Sequence, residues 1–441
     1  MQKQIDCFIP YRPDLSQDEL LNYLTRSNLV RTIYLMGKKK PDKLIENCSF
    51  IEIDQIASTR TIKKIADNSR SDYSLIITSE KDIFPGTFSI ERFVSLADST
   101  SAAMLYSDYY EQTGREIKNH PVIDYQSGSL RDDFNFGPVW FISSVNIKKA
   151  AAQFDAEYEY AGLYQLRLEL SLLEKIFHIP EYLYTAIETD TRSSGKKIFD
   201  YVDPKNRSVQ LEMEKVLTSY LKKAGAFLTP EFKAVDIKAE VFNTEASVII
   251  PVRNREKTIA DAIISVMKQK TDFDYNLIVV DNHSTDNTTR IIKELNDKYN
   301  KLIHIIPERQ DLGIGGCWNL AAHDDRCGRF VVQLDSDDLY SSESTLQTII
   351  NKFYEENCAM VIGSYQMTNF TLEEIPPGII DHKEWTPNNG RNNALRINGL
   401  GAPRAFFTPV LRQINIPNVN YGEDYGVALA VSREYQIGRI Y

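Results

Sequence analysis

Short apolar runs of strand character alternate along this chain with stretches of helical spacing, and the alternation occurs twice. In the first half, strands are expected at Ile5 to Pro10, Val30 to Met36, Phe50 to Ile53, Tyr73 to Thr78 and Ala103 to Ser107. Helices are expected at Ser16 to Arg26, where Leu20, Leu21 and Leu24 share a face, and at Ser58 to Asn68. Glu181 to Asp203 is polar, Val209 to Ala224 reads as one amphipathic helix, and Thr229 to Thr244 shows little periodicity. The rhythm then resumes. Ser247 to Ile250 is a strand, and Ile259, Ala262, Ile263, Val266 and Met267 recur at helical spacing. Strands follow at Leu277 to Val280, Leu302 to Ile306 and Phe330 to Leu334, with a helix from about Ser342. Strands alternating with helices imply βαβ units. The expectation is an α/β chain of two tandem Rossmann-like domains with mainly parallel sheets, at residues 1–235 and 240–441.

The halves resemble one another in sequence, as a tandem repeat would. Pro10-Tyr11-Arg12 matches Pro251-Val252-Arg253, and Ala103-Met104-Leu105 matches Ala359-Met360-Val361. Gly137-Pro138-Val139-Trp140-Phe141 is similar to Ala402-Pro403-Arg404-Ala405-Phe406, and Tyr160, Tyr164, Leu166 and Leu168 match Tyr421, Tyr425, Val427 and Leu429.

Composition narrows the class. A net charge of −10 without any dense Lys/Arg run excludes nucleic acid as the main partner. The five cysteines are scattered and lack zinc-knuckle spacing, which suits reduced thiols. No signal-peptide layout opens the chain, and no window approaches the roughly 18 apolar residues of a membrane span. The expected location is therefore the cytoplasm, without a transmembrane segment and compatible with peripheral membrane association.

Candidate chemistry gathers after the strand ending at Leu334, in Asp335-Ser336-Asp337-Asp338. Acids packed this tightly repel one another. A hard divalent cation, Mg²⁺ or Mn²⁺, would relieve that repulsion, with phosphate oxygens completing its shell. A tight turn with helix N-capping is the alternative. Ligands of open α/β sheets bind beyond the carboxyl ends of the strands. Pro251-Val252-Arg253, Asp281 and the Gly-rich turn Leu312-Gly313-Ile314-Gly315-Gly316 fall at that same edge. Trp385, Arg391 and Arg396 lie in a segment that breaks the α/β rhythm. Trp385 could stack on a sugar or plug a loop, and the arginines could meet an anionic acceptor or pair at the surface.

Taken in order, these residues resemble family 2 glycosyltransferases of bacterial type, with the GT-A fold. Pro251-Val252-Arg253-Asn254-Arg255-Glu256-Lys257-Thr258-Ile259 resembles the family's opening motif, and Ile278-Val279-Val280-Asp281-Asn282-His283-Ser284-Thr285-Asp286-Asn287-Thr288 its second-strand motif. Asp335-Ser336-Asp337 resembles its DxD motif, and Gly422-Glu423-Asp424-Tyr425 its late Glu-Asp pair. The chain differs from the family's frequent pattern at Arg253, Arg255, Asn282-His283 and Trp318. The resemblance implies an inverting, metal-dependent enzyme that moves a sugar from a nucleotide-diphosphate donor, a UDP-sugar, to a hydroxyl acceptor. That acceptor would be a glycan or lipid-linked glycan, as in polysaccharide biosynthesis. Pro251, Val252, Arg253, Asp281, Asp335 and Ser336 would bind the nucleotide-sugar; Asp337, with Asp335, would hold Mn²⁺ or Mg²⁺. Asp424 would be the general base, with Glu423 as the alternative. A nucleotidyltransferase and a non-catalytic carbohydrate-binding or scaffold protein are the rival classes.

The first half is expected to be a degenerate copy. Aligning Met104 with Met360 carries Asp335 onto Ser79 and Asp337 onto Lys81, with Asp82 opposite Asp338; Gly162 and Leu163 fall opposite Glu423 and Asp424. Matching Tyr164 to Tyr425 sets Tyr441 opposite Pro180, so the second copy is expected to be cut short at its C-terminal end.

Overall fold

The computed structural model describes residues 3–11, 17–41, 47–79, 81–187, 207–397 and 399–441. Arg12, Ser16 and the polar stretch from 188 to 203 lie outside these. The chain forms two units, residues 1–227 and 228–441.

The first unit contributes β1 (Ile5–Pro10), β2 (Val30–Gly37), β3 (Cys48–Glu52), β4 (Tyr73–Ile77), β5 (Asp82–Pro85), β6 (Met104–Ser107), β7 (Tyr109–Thr113), β8 (Glu116–His120), β9 (Val139–Ser143), β10 (Ile176–Ile179) and β11 (Tyr184–Ile187). Its main sheet runs β3-β2-β1-β4-β9-β6-β10, and a smaller sheet runs β5-β11-β7-β8. In the main sheet only β9 is antiparallel to its neighbours. Ser58 caps the helix Thr59–Asn68 by accepting from the Thr61 amide. The helix Arg207–Lys223 buries Val216, Leu217, Tyr220 and Leu221 in a cluster with Tyr164 and Leu168, so it belongs to this unit.

The second unit contributes β12 (Ala246–Val252), β13 (Tyr275–Asp281), β14 (Leu302–Ile305), β15 (Phe330–Gln333), β16 (Met360–Ile362), β17 (Tyr365–Thr368), β18 (Glu374–Ile380), β19 (Arg404–Phe407) and β20 (Ile437–Arg439). Its main sheet runs β14-β13-β12-β15-β19-β16-β20, with β17 and β18 as a separate hairpin. Again one strand, β19, is antiparallel to its neighbours. All seven residues of β12 are buried, as expected of a parallel strand covered on both faces. Two mainly parallel α/β units are thus present, as the pattern of apolar runs implies. Val235 and Ile237 pack into the second core, so residues from 228 onward pack with the second unit.

The two main sheets share strand order and direction, which permits a residue comparison by ladder register. Ile5 pairs with Tyr73 in the first sheet, and Ala246 with Phe330 in the second. With Ile5 set on Ala246, Tyr73 falls on Phe330, an offset of 257 (330 − 73). The offset at Met104 is 256 (360 − 104), because the first unit carries one more residue between these strands. This corrects the sequence alignment by one position. Asp335 stands opposite Thr78, Ser336 opposite Ser79 and Asp338 opposite Lys81; Glu80, opposite Asp337, lies outside the described residues. Lys81 is paired with Glu111, Nζ to Oε1 3.4 Å.

Phe330, fully buried on β15, stacks on Phe353 with ring centroids 4.4 Å apart. Phe330→Ala should lower the unfolding free energy by about 3–5 kcal/mol, through lost burial plus the cavity left behind. Urea unfolding followed through the second unit's transition measures this.

Candidate active site

The site builds on the carboxyl ends of β12, β13 and β15. Pro251 and Val252 are buried at the end of β12, so their main chain is what they can offer a ligand, while Arg253 is exposed beyond them. Val252 accepts from the Asn282 amide at 2.8 Å, joining the two strand ends. The loops beyond are bound together as well. Asn254 accepts from the Thr285 amide at 2.7 Å, and Glu256 accepts from the Asn287 amide at 3.1 Å.

Asp281 is completely buried, and its carboxylate is already engaged. Oδ1 accepts from the Ser284 amide at 3.1 Å and Oδ2 from the Thr289 hydroxyl at 2.5 Å. Burial alone would raise this carboxyl, yet it is held down at about 2. His304, with Nε2 3.6 Å from Oδ2, opposes the burial together with the Ser284 and Thr289 hydrogen bonds. Asp281 thus fixes the turn after β13 through both of its carboxylate oxygens.

β15 ends at Gln333, and the Leu334 amide still bonds to the Ile249 carbonyl at 3.2 Å. The chain then turns tightly, the Asp338 amide donating to the Asp335 carbonyl at 3.1 Å. The stretch is therefore a tight turn that brings three acids together. Asp335 presents exposed surface but is walled in by protein. Burial raises its carboxyl, and Asp337 and Asp424 raise it further against the pull of Arg404. Asp338 is pushed up to about 6 by burial, then by Asp335 and Asp337. Ser336 is buried between them. Asp337 is half exposed and has a guanidinium beside it, Arg255 Nε to Oδ2 3.7 Å.

Glu423 and Asp424 open the helix Glu423–Glu434, whose preceding Gly422 takes the left-handed conformation (φ 78°). Acids in a first turn complement the helix dipole. Their environments differ. Glu423 is buried, raised mainly by that burial, and its Oε2 has no hydrogen-bond partner among the described residues. Asp424 is half-buried, with Oδ2 2.8 Å from Arg404 Nη1 and Oδ1 accepting from the Tyr425 amide at 2.6 Å.

The Gly-rich turn before the helix Ile314–Ala322 is filled by protein. Asn418 accepts from the Gly313 amide at 2.7 Å and Asn420 from the Ile314 amide at 3.3 Å. A Cβ on Gly315 would lie 2.0 Å from the Pro417 carbonyl oxygen. These glycines let the segment 417–422, which delivers the Glu-Asp pair, approach the helix N-terminus.

Trp385 is buried against Gly390 and Gly399, with the Arg439 guanidinium 5.0 Å above its ring, so it plugs a loop. Arg391 donates to the Arg433 and Glu231 carbonyls, and Arg396 is buried with Nε on Asn393. Neither arginine is a free surface cation. The exposed ring near the Glu-Asp pair is Tyr421, 93% exposed. Arg404 lies outside the motifs that mark the other site residues, and its mark in the sequence is a lone charge opening the otherwise apolar β19.

The Glycosyl transferase family 2 model matches residues 247–414. The UDP-Glc:α-D-GlcNAc-diphosphoundecaprenol β-1,3-glucosyltransferase WfgD of Escherichia coli is 34% identical over 198 residues, 44% of this chain and 72% of WfgD. The poly(ribitol-phosphate) β-N-acetylglucosaminyltransferase TarS of Staphylococcus aureus is 31% identical over 173 residues, 38% of this chain and 29% of TarS. An uncharacterized glycosyltransferase of Rickettsia felis, 29% identical, is likewise spanned over only 38% of its length. The crystal structure of TarS 1-349 with UDP-GlcNAc has 24% identity and a TM-score of 0.36, covering 45% of this chain and 56% of that one.

Asp281's low value generates a pH prediction. Its folded value, about 2, lies below the ordinary 3.8, so its contribution to stability is complete above 3.8 and is lost as pH falls through 2. Asp281→Asn should therefore cost about 2 kcal/mol at pH 7, with the gap to wild type closing toward pH 2. Urea unfolding of both proteins across that range checks it.

Proposed function

Because the chain belongs to glycosyl transferase family 2, we propose that its second unit transfers a sugar from a nucleotide-diphosphate donor to a hydroxyl acceptor, with inversion at the anomeric carbon. The observation that carries this reading is the meeting of two acidic groups, Asp335 to Asp338 and Glu423-Asp424, around one arginine at the carboxyl edge of the sheet.

The donor set suits a hard divalent cation, since every ligand on offer is a carboxylate oxygen. Burial and mutual repulsion already hold the Asp335 and Asp338 carboxyls high. Among the described residues, no three acidic, His or Cys side chains converge to hold a metal by themselves. Asp337, with Asp335, would therefore hold Mn²⁺ or Mg²⁺ together with diphosphate oxygens. When bound, the ion supplies charge neutralisation for the departing diphosphate.

Asp424 takes the proton of the acceptor hydroxyl as that oxygen bonds to the anomeric carbon. The carbon–oxygen bond to the diphosphate breaks, and its electron pair leaves on the phosphate oxygen. Asp424 is the better base of the two because it is open to the cleft, whereas Glu423 is buried. Arg253 and the main chain at Pro251 and Val252 face the nucleotide, and Asp281 shapes its pocket. Tyr421, not Trp385, is the ring free to stack on an acceptor sugar. A nucleotidyl transfer would have no use for a base opposite an acceptor-facing ring.

The proposed donor is a UDP-sugar, in line with the UDP-Glc and UDP-GlcNAc in the names of the WfgD and TarS matches. The proposed acceptor is a glycan, lipid-linked glycans included, reached by peripheral docking from the cytoplasm. No helix among the described residues is long and apolar enough to cross a membrane. The first unit is proposed as a copy that keeps the sheet without the chemistry, with Thr78 opposite Asp335 and Leu163 opposite Asp424.

UDP release from a panel of UDP-sugars with Mn²⁺ tests the reading. Asp337→Ala should abolish cation-dependent turnover with the fold intact. Asp424→Asn should bind donor normally and turn over about 10²–10⁴-fold more slowly. Normal turnover in either variant would contradict the assignment, and pyrophosphate as product would favour nucleotidyl transfer.

A further inference from the structure

We infer that Arg404 is a positioning residue for Asp424, fixing the orientation of the base. This rests on the sugar-transfer reading above. Arg404 opens β19 and is held on three sides. Nε donates to the Leu400 carbonyl at 2.8 Å, while Nη1 reaches Asp424 Oδ2 at 2.8 Å and Gln333 Oε1 at 3.5 Å. Its side chain is only 10% exposed. A guanidinium anchored in this way is a fixed donor, unlike an exposed arginine that must lose side-chain entropy to form each ion pair. Gln333 closes the strand that leads into the acidic turn, so one side chain ties that strand's end to the base.

The first unit supplies an internal control. Leu105 pairs with Phe141 there, and Val361 with Ala405 in the second unit. With Met104 set on Met360, Phe141 falls on Ala405, and Trp140 therefore on Arg404. The helices Gly162–Leu173 and Glu423–Glu434 have the same length, which sets Leu163 on Asp424. Where the acid is replaced by an apolar residue, the arginine is replaced as well. The same strand forms with a tryptophan in that place, so the sheet itself does not require the arginine. The pairing follows the acid, not the architecture.

An oriented carboxylate also fits the contacts of both oxygens, the Arg404 guanidinium paired with Oδ2 at 2.8 Å and the Tyr425 amide donating to Oδ1. With both oxygens held, the lone pairs left over keep a constant direction toward the incoming hydroxyl, and small misplacements of such groups are costly in rate.

The test uses the full chain, with UDP release from UDP-glucose and UDP-N-acetylglucosamine as the readout, Mn²⁺ present and water as acceptor. Arg404→Gln should lower kcat about 10²-fold with the donor KM unchanged, and Arg404→Lys should recover part of the loss. Adding Arg404→Gln to Asp424→Asn should cause no further loss, because the arginine acts only through that carboxylate. Thermal unfolding of each variant identifies any that fails to fold, and Arg404→Lys then carries the same comparison. A raised donor KM at unchanged kcat would assign Arg404 to donor binding and overturn the inference. So would a further loss in the double variant, or full activity in Arg404→Gln. If the wild-type chain releases no UDP while correctly folded, the functional reading falls and this inference with it.

Discussion

Mutual repulsion among carboxylates is the constraint around which the second unit is built. Asp335, Asp337 and Asp338 leave one strand end, and Glu423 and Asp424 approach from a helix start. Asp335, Asp338 and Glu423 all have their carboxyls raised by burial and by acidic neighbours. Protein alone offsets this only in part, through Arg404 at Asp424 and the looser Arg255 at Asp337. A chain selected only for stability would gain more from apolar residues here. The proposed cation and diphosphate would each offset the charge of the other here.

Everything near the cluster serves to hold its parts at fixed positions. Buried Asp281 locks the turn after β13, and Asn254 and Glu256 bind the neighbouring loop to it. On the other side, the glycines at 313, 315 and 316 allow close backbone approach by the segment that carries the Glu-Asp pair. Asn418 and Asn420 accept from the Gly313 and Ile314 amides at the start of the helix Ile314–Ala322, so the segment that delivers Glu423 and Asp424 is tied to that helix.

The fold was legible because buried parallel strands write themselves as uninterrupted apolar runs, as β12 and β13 do. The acidic turn was legible because like charges at close spacing need a reason, and the Glu-Asp pair through its resemblance to the family's late motif. Partnerships between residues far apart in sequence were not. Arg404 meets Asp424 and Gln333 only once β15 and β19 are paired, and no local spacing announces it. The burial of Trp385 and Arg396, and the closed hydrogen bonding of Asp281, depend likewise on tertiary neighbours. The one-residue offset between the two sheets was hidden because Met104 and Met360 align well while the connection before them differs in length. Ladder pairing reveals that offset, and it sets Lys81 opposite Asp338 instead of Asp337.

The central claim, one cation-dependent donor site per chain in the second unit, is tested most directly by calorimetric titration of UDP into the full chain with and without Mn²⁺. The account predicts one equivalent of UDP bound with Mn²⁺ present, strongly weakened binding without it, and loss of that binding in Asp337→Ala. Two equivalents per chain, or undiminished binding to Asp337→Ala, would contradict it.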